Sequence, residues 1–272
     1  MYAGDIYFIK ELYDICILKF KKVKGVMDMF KRFFASSLSI VVTLTTLCLT
    51  PTVYTRSLFG MPAFMAEASA ATNHSQGLPP LPYPNVNQYI ISTHLGHSPV
   101  VKDPRMDTLP QLPYKHGTYI GVVIHEVGED YRSLNEWVDR MYATYDRAFV
   151  HAFVDSKEIH LTAPSKYLVW GAGKQANPYF YQIEVVRAYT FDDFARSVNN
   201  QAWLAAYMLK QNNIEPTLAD RQEGVGSIIS HYAVHKYWGG TTHVDPIEYF
   251  ARWGYDMDQF FELVKYHYQQ ML

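Results

Sequence analysis

The sequence predicts a mixed α/β domain in which helices flank a central mixed β-sheet. Short apolar segments rich in Val, Ile and Phe alternate along the chain with segments of helical character, and this alternation is typical of the class. The chain has 272 residues, of which 49% are hydrophobic and 18% are charged, so it can bury the core of one large domain.

Five segments are predicted to form the strands. Each is short and apolar and is bounded by turn residues or by the start of a helix, as buried strands usually are. They cover residues 119–125, 148–155, 158–162, 180–186 and 226–231. The first and the last end on a histidine, His125 and His231, so both imidazoles are expected at strand ends.

Three helices are predicted from their N-terminal capping residues. Ser133 and Glu136 form a capping-box pattern that begins a helix extending to about residue 145. Thr190, followed by Asp193, begins a long helix to about residue 213. Asp256 begins a C-terminal helix with apolar residues at helical spacing.

The first 70 residues are predicted to be an N-terminal extension that contains a secretory signal peptide. Two basic residues at positions 31 and 32 precede an uncharged apolar stretch at 33–49, and A-x-A patterns follow at 66–70. We expect cleavage near Ala70 and export of the remainder of the chain. A retained membrane anchor is the alternative, although a stretch of 17 residues is marginal for crossing a bilayer.

Two further boundaries follow from the composition. Residues 1–26 precede the basic start of the signal, which favours translation from Met27 or Met29. Residues 71–118 are rich in proline and polar residues, so we expect a linker followed by an irregular arm. The regular patterns begin beyond it, and residues 119–272 are predicted to be the main folded domain.

Charge and cysteine usage exclude several kinds of site. Residues 1–70 hold 8 of the 24 Lys and Arg and 5 of the 26 Asp and Glu, which leaves the rest with a net charge of about −5. That charge argues against a nucleic-acid partner, because phosphate binding needs a basic face. Cys16 and Cys48 both precede residue 70, so a metal in the remainder would need His and carboxylate ligands.

A metal site is predicted from three separated segments. His243 and Asp245 lie two residues apart in the segment GGTTHVDP, and residues at that spacing point to the same side of an extended chain. Together with His125 and His231, Asp245 would give zinc three protein ligands and leave a fourth position for water, as in catalytic sites. His243 would then lie beside the metal.

Two questions stay open from the residues alone. Glu184 lies in an apolar strand segment, where its carboxylate is either a general base or the partner of Arg187 in a structural ion pair. The segment HYAVH offers a rival metal site in which His231 and His235 bind zinc from one helix face. In that motif a base follows the first histidine, whereas Tyr232 stands there in this chain.

Over residues 85–272 the chain resembles the type 2 N-acetylmuramoyl-L-alanine amidases, which share their fold with the peptidoglycan recognition proteins. The resemblance is strongest to the amidase domain of staphylococcal-type bifunctional autolysins. Its motifs occur in the same order: VVIHEV, AFVHAFVD, WGAG with NP, IEVV, FARSVNN and SHYAVHKYWGGTTHVDP. Relatives of other branches carry tyrosine and histidine where Val150 and Gly171 stand here, and many carry lysine in place of His243.

The resemblance implies roles for five residues. His125, His231 and Asp245 would be zinc ligands, Glu184 the catalytic base, and His243 the group that stabilises the oxyanion. The implied reaction is hydrolysis of the amide between the muramoyl lactyl group and L-alanine of peptidoglycan. We expect Trp170, Gly171 and Asn177 to line the substrate groove, and we expect a monomer.

Two other functions remain as alternatives. One is a peptidoglycan-binding module that does not cut, although such a protein would not need Glu184. The other is a zinc peptidase that cleaves within the stem peptide on the same scaffold.

Overall fold

The computed structural model describes residues 83–271. The predicted signal peptide, the apolar stretch at 33–49 and the proposed translation starts lie outside the described residues, as does the first part of the linker. Within 83–271, no helix combines the length and the apolar composition needed to cross a bilayer.

A mixed six-stranded sheet forms the centre of the fold, which confirms the predicted class. Its spatial order is β1-β5-β4-β7-β3-β8, and only the β4–β5 pair is antiparallel. A separate antiparallel pair joins β2 to β6. The strands are β1 Val100–Lys102, β2 Leu112–Pro113, β3 Gly121–Glu126, β4 Ala152–Val154, β5 Ile159–Leu161, β6 Tyr167–Leu168, β7 Phe180–Val185 and β8 Ile228–Ser230.

Helices cover both faces of the sheet. They are α1 Val86–Ser92, α2 Leu134–Ala143, α3 Phe191–Gln211, α4 His231–Ala233, which continues as a π-helix over Val234–Trp238, α5 Ile247–Ala251 and α6 Met257–Gln270. Helix α3 packs along α6 and against the sheet. Residues of α2 and α4 pack in clusters with side chains of the opposite face.

The alternation of side chains along β3 and β7 decides which face carries the candidate site. Val122 and Ile124 pack in the cluster that contains α3 and α6, whereas Val123 packs with Phe180 and Ile229. Because side chains alternate along a strand, His125 is on the Val123 face. Parallel pairing places Glu184 of β7 directly beside His125, on the same face.

The predicted helix starts are confirmed. Ser133 caps α2 with both bonds of the capping box, Thr190 caps α3 and Asp256 caps α6, each through its side-chain oxygen. These caps depend on residues within one turn of each other, so the local sequence is sufficient to predict them.

The structure differs from the prediction in two places. The arm was expected to be irregular, but its described part contains α1, β1 and β2, and β1 pairs with β5 at the sheet edge. The strand predicted to end on His231 ends at Ser230, and His231 opens α4. The Ser230 side chain accepts a hydrogen bond from Ala233 N, so it caps a helix at the point where the apolar pattern suggested a longer strand.

Candidate active site

Two buried imidazoles and one partly buried carboxylate converge at one edge of the sheet. His125 comes from β3, His231 from the start of α4 and Asp245 from the loop before α5. The two imidazole Nδ1 atoms are 2.9 Å apart. Asp245 Oδ2 lies 3.3 Å from His125 Nδ1, and Asp245 Oδ1 lies 3.0 Å from His231 Nδ1. Three donor atoms from three elements thus face one another.

Neighbouring groups orient two of these side chains. Thr241 Oγ1 lies 3.0 Å from His231 Nε2, which leaves Nδ1 turned towards Asp245. The backbone N–H of Glu126 donates to Asp245 Oδ2 over 3.1 Å. Partners of this kind hold a metal ligand in one orientation and one tautomer.

The group has the geometry and protonation that a divalent metal requires. Ligand atoms about 2.0–2.1 Å from a tetrahedral zinc ion are separated by roughly 3.3 Å. Here one ligand atom from each of the three residues lies within 4.8 Å of the other two. Burial lowers the pKa of His231 to about 4, so its imidazole is neutral at pH 7. Burial opposes ionisation of Asp245, but hydrogen bonds from the histidines outweigh it and hold the pKa of Asp245 well below its usual range. A neutral imidazole beside an ionised carboxylate can hold a metal ion.

Glu184 lies beside this group with one carboxylate oxygen uncommitted. Its Oε2 is buried and has no hydrogen-bond partner within residues 83–271. Burial raises the pKa of Glu184 well above its ordinary value, and the charges of Asp245 and Glu126 add to the rise. Such a carboxyl group is poised to take up a proton.

The expected alternative partner of Glu184 is engaged elsewhere. Arg187 Nη2 donates to Glu126 Oε2 over 3.1 Å, and Arg187 Nη1 donates to Asp130 Oδ2 over 3.0 Å. The structural ion pair that the sequence allowed for Glu184 is therefore formed by Glu126 instead.

His243 lies at the exposed edge of the group. Its ring stacks on that of His231 with the centroids 4.9 Å apart, and its Nδ1 is 3.6 Å from Asp245 Oδ1. The interaction with Asp245 raises the pKa of His243 against the opposing effect of its partial burial. The side chain remains 70% exposed, so its ring can reach a bound molecule.

The rival pair of histidines is not brought together. His235 does lie on the helical segment that follows His231, as that alternative required. However, its Nδ1 pairs with the carbonyl oxygen of Thr241 over 2.8 Å, and the side chain is exposed. Among the described residues, the cluster of potential metal ligands consists of His125, His231 and Asp245.

Comparison with known proteins places this arrangement in a family. A family model described as N-acetylmuramoyl-L-alanine amidase matches residues 116–248. The crystal structure of Staphylococcus aureus hydrolase AmiA in complex with its ligand matches at 36% identity and a TM-score of 0.66, covering 70% of this chain and 93% of that one. The chain belongs to the N-acetylmuramoyl-L-alanine amidase family.

Two curated relatives of this amidase-family chain are longer proteins. Protein Ami of Listeria monocytogenes is 42% identical over 191 residues, which cover 70% of this chain and 21% of that protein. A bifunctional autolysin of Staphylococcus aureus is 37% identical over 186 residues, covering 68% of this chain and 15% of the relative. The chain thus spans about a fifth or less of the length of these relatives.

The candidate groups of this amidase-family chain open into a cavity of about 660 Å³, here called the main cavity. It has the catalytic candidates on its wall together with residues of α2, of the β3–α2 loop and of the segment before α5. The residues that line it include Glu126, Glu129, Arg140, Gly171, Glu184, Arg187, His231, His243, Asp245 and Glu248.

The three predicted substrate-binding residues lie in or beside this region. Gly171 lines the main cavity, and a side chain there would bring a Cβ within 2.7 Å of Gln182 Oε1 and of Val150 Cγ1, so the close packing requires glycine. Trp170 and Asn177 line an adjoining cavity. The Asn177 side-chain oxygen accepts hydrogen bonds from Ala172 N and from Gln182 Nε2, which shapes the loop. Substrate binding by these residues stays a prediction.

One feature of the site was missed by the sequence analysis. Asp220 is largely buried, and its carboxylate accepts hydrogen bonds from Ser230 N at 3.0 Å and Ser230 Oγ at 2.5 Å. Ser230 Oγ in turn caps the helical turn that begins with His231. These contacts fix the position of His231. Their only signal in the sequence is a single aspartate ten residues before Ser230, which is too weak to recognise.

Proposed function

We propose that this chain is a zinc-dependent amidase that hydrolyses the bond between the N-acetylmuramoyl lactyl group and L-alanine in peptidoglycan. One observation carries the proposal: Glu184, with a buried partnerless oxygen, lies beside the convergent His125, His231 and Asp245. Membership of the amidase family supports the choice of bond.

His125, His231 and Asp245 would hold the metal. Two imidazole nitrogens and one carboxylate oxygen form a donor set that suits zinc and leaves a position for another ligand. When bound, zinc acts as a Lewis acid and lowers the pKa of a coordinated water to about 7.

Glu184 would act as the general base and then as the general acid. Burial raises its pKa, which favours uptake of a proton from the attacking water. The same carboxyl group can then pass the proton to the amine of the leaving L-alanine, because a positioned carboxyl group can serve first as base and then as acid.

His243 would stabilise the negative charge that develops on the carbonyl oxygen. Its raised pKa favours the protonated ring, which presents an N–H donor at the mouth of the main cavity. A donor already in place for a developing oxyanion contributes to the rate without reorganisation. Trp170, Gly171 and Asn177 would line the groove that binds the substrate.

We also propose that the protein is exported through its N-terminal signal peptide, acts at the cell wall as a monomer, and has peptidoglycan rather than nucleic acid as its partner. The surplus of acidic residues beyond residue 70 supports the last point. N-terminal sequencing of the secreted protein should read from close to Ala71. An intact N-terminus in the membrane fraction would show anchoring instead.

Mass spectrometry of digested peptidoglycan tests the reaction. An amidase releases peptides with new L-alanine amino termini and leaves muramic acid with free lactyl carboxylates. New termini inside the stem peptide would indicate a peptidase, and unchanged wall in the presence of zinc would indicate a binding module. Either outcome would contradict the proposal.

A further inference from the structure

A second cavity of about 670 Å³ adjoins the main cavity. The two share four wall residues, among them His243 and Gly171. The second cavity is lined by Arg147, Ala148, Trp170, Gly171, Gly173, Lys174, Asn177, Gly240, Thr241, Thr242 and His243. The proposed oxyanion donor thus lies on the wall of both cavities.

The two cavities differ in charge. Five carboxylates line the main cavity, those of Glu126, Glu129, Glu184, Asp245 and Glu248. The wall of the second cavity contains no Asp or Glu, but it does contain Arg147, Lys174 and His243. A cleft lined by charges of one sign concentrates ligands of the opposite sign.

Two of the basic residues of the second cavity, Arg147 and Lys174, have no partner among residues 83–271. In the main cavity Arg140 pairs with Glu129, and Arg187 pairs with Glu126. Within residues 83–271, neither Arg147 nor Lys174 takes part in a salt bridge or a side-chain hydrogen bond. Their charges are available to a bound molecule.

The floor of the second cavity is rigidly shaped by close backbone packing. Gly173 has φ of +86°, and a Cβ on it would lie 2.7 Å from the carbonyl oxygen of Gly240. Gly240 itself has φ of +79° and leaves no room for a side chain beside Gln175. Only glycine allows these two loops to meet, so the cavity is preformed.

We propose that the second cavity is a subsite for an anionic substituent on the glycan strand of the substrate. Arg and Lys donate charge-assisted hydrogen bonds to phosphate and carboxylate oxygens. Trp170, half-buried on the cavity wall, offers an aromatic surface for a sugar ring. The inference rests on the proposed function, because it assigns the glycan side of the scissile bond to the cationic cavity and the peptide side to the acidic one.

The test compares Arg147→Gln, Lys174→Gln and the double variant with wild type. Lys157→Gln is the matched control, since Lys157 is an exposed lysine that lines neither cavity. Two substrates are used: intact wall, and wall freed of phosphodiester-linked polymer with hydrofluoric acid. Each single variant should raise KM on intact wall by about 2- to 5-fold and the double variant by about 10-fold, with kcat little changed.

The treated wall identifies the anion. If wild type and double variant have the same KM on treated wall, the substituent is a phosphodiester; if the difference persists, it is a carboxylate of the glycan. Equal KM values on both walls would overturn the proposal. The proposal would also be overturned if the control variant raised KM as much as the double variant, because a change in net charge alone would then explain the effect.

A failure of this subsite is distinguishable from a failure of the proposed function. Wild-type digests with new L-alanine amino termini establish the amidase whatever the variants do. A binding measurement that needs no turnover completes the test. The protein is titrated by calorimetry with inorganic phosphate and, separately, with acetate at equal ionic strength. The double variant should lose the heat of binding that the control retains, and unchanged binding would refute the subsite.

Discussion

Replacing Glu184 by glutamine should abolish most of the activity without harming the fold. The change is nearly isosteric and removes the acid–base function of a carboxyl group that contacts neither Arg187 nor another cation in residues 83–271. Turnover should fall by roughly 10²–10⁴, the usual contribution of a positioned general base. Zinc content should stay at about one per chain, because Glu184 is not among the proposed ligands.

The effect of Glu184→Gln on the free energy of unfolding should have the opposite sign from that expected if Glu184 formed a structural ion pair. Burial raises the pKa of Glu184 above 4.5, so in metal-free protein the native state binds its proton more tightly than the unfolded state. Stability from this group is full below the unfolded pKa and is lost as pH rises towards the raised folded pKa. Glutamine does not titrate, so metal-free Glu184→Gln should melt at the same or a higher temperature than wild type at pH 7.

Glu126→Gln provides the contrasting variant in the same cavity. It weakens the buried pair with Arg187, so it should cost about 1–3 kcal/mol and lower Tm by roughly 2–10 °C. Its activity per folded molecule should fall far less than that of Glu184→Gln. Zinc content, Tm and wall-lysis rate are measured on the same preparations. An active, zinc-replete but destabilised Glu184→Gln protein would refute the proposed mechanism.

Three further predictions concern the metal group and its surroundings. Alanine in place of His125, His231 or Asp245 should lower zinc content and abolish lysis, whereas His235→Ala should keep zinc. If metal analysis instead finds zinc retained in His231→Ala and lost in His235→Ala, the metal site formed by His231 and His235 would be favoured. His243→Ala should retain zinc but lose on the order of 10²-fold or more in kcat, and full activity would exclude an oxyanion role. Ser230→Ala removes the helix cap at His231, so it should lower the free energy of unfolding by about 1 kcal/mol and weaken zinc affinity in a competition titration. Ser230→Thr keeps a hydroxyl and should restore both quantities. Wild-type zinc affinity in Ser230→Ala would show that the cap does not position the ligand.

Much of the fold was predictable because its signals are local. The capping residues Ser133, Thr190 and Asp256 begin helices as expected, since each cap involves atoms within one turn. The central strands were recognised from short apolar segments that are buried on both faces. The described part of the arm was not, because β1 owes its regularity to pairing with β5, a partner almost sixty residues away.

The candidate ligands were named from the sequence, but only the tertiary structure brings them together. The order of motifs indicated His125, His231 and Asp245. The side chains of His125 and Asp245, 120 residues apart in sequence, approach to about 3 Å because β3 pairs in parallel with β8 and because the loop before α5 returns to this edge of the sheet. His231 opens a helix because Ser230 caps it, and the cap is held by a hydrogen bond from the Ser230 hydroxyl to Asp220, ten residues upstream, which no local pattern encodes.

The role of Glu184 shows the same division most clearly. The sequence established that a carboxylate lies in an apolar strand, which left a base and an ion pair equally possible. In the structure Arg187 donates to Glu126, and Glu184 Oε2 has no hydrogen-bond partner among residues 83–271. Local sequence determines secondary structure through nearby hydrogen bonds and side-chain periodicity, whereas the partner of a buried charge depends on which distant groups the packed sheet brings within reach.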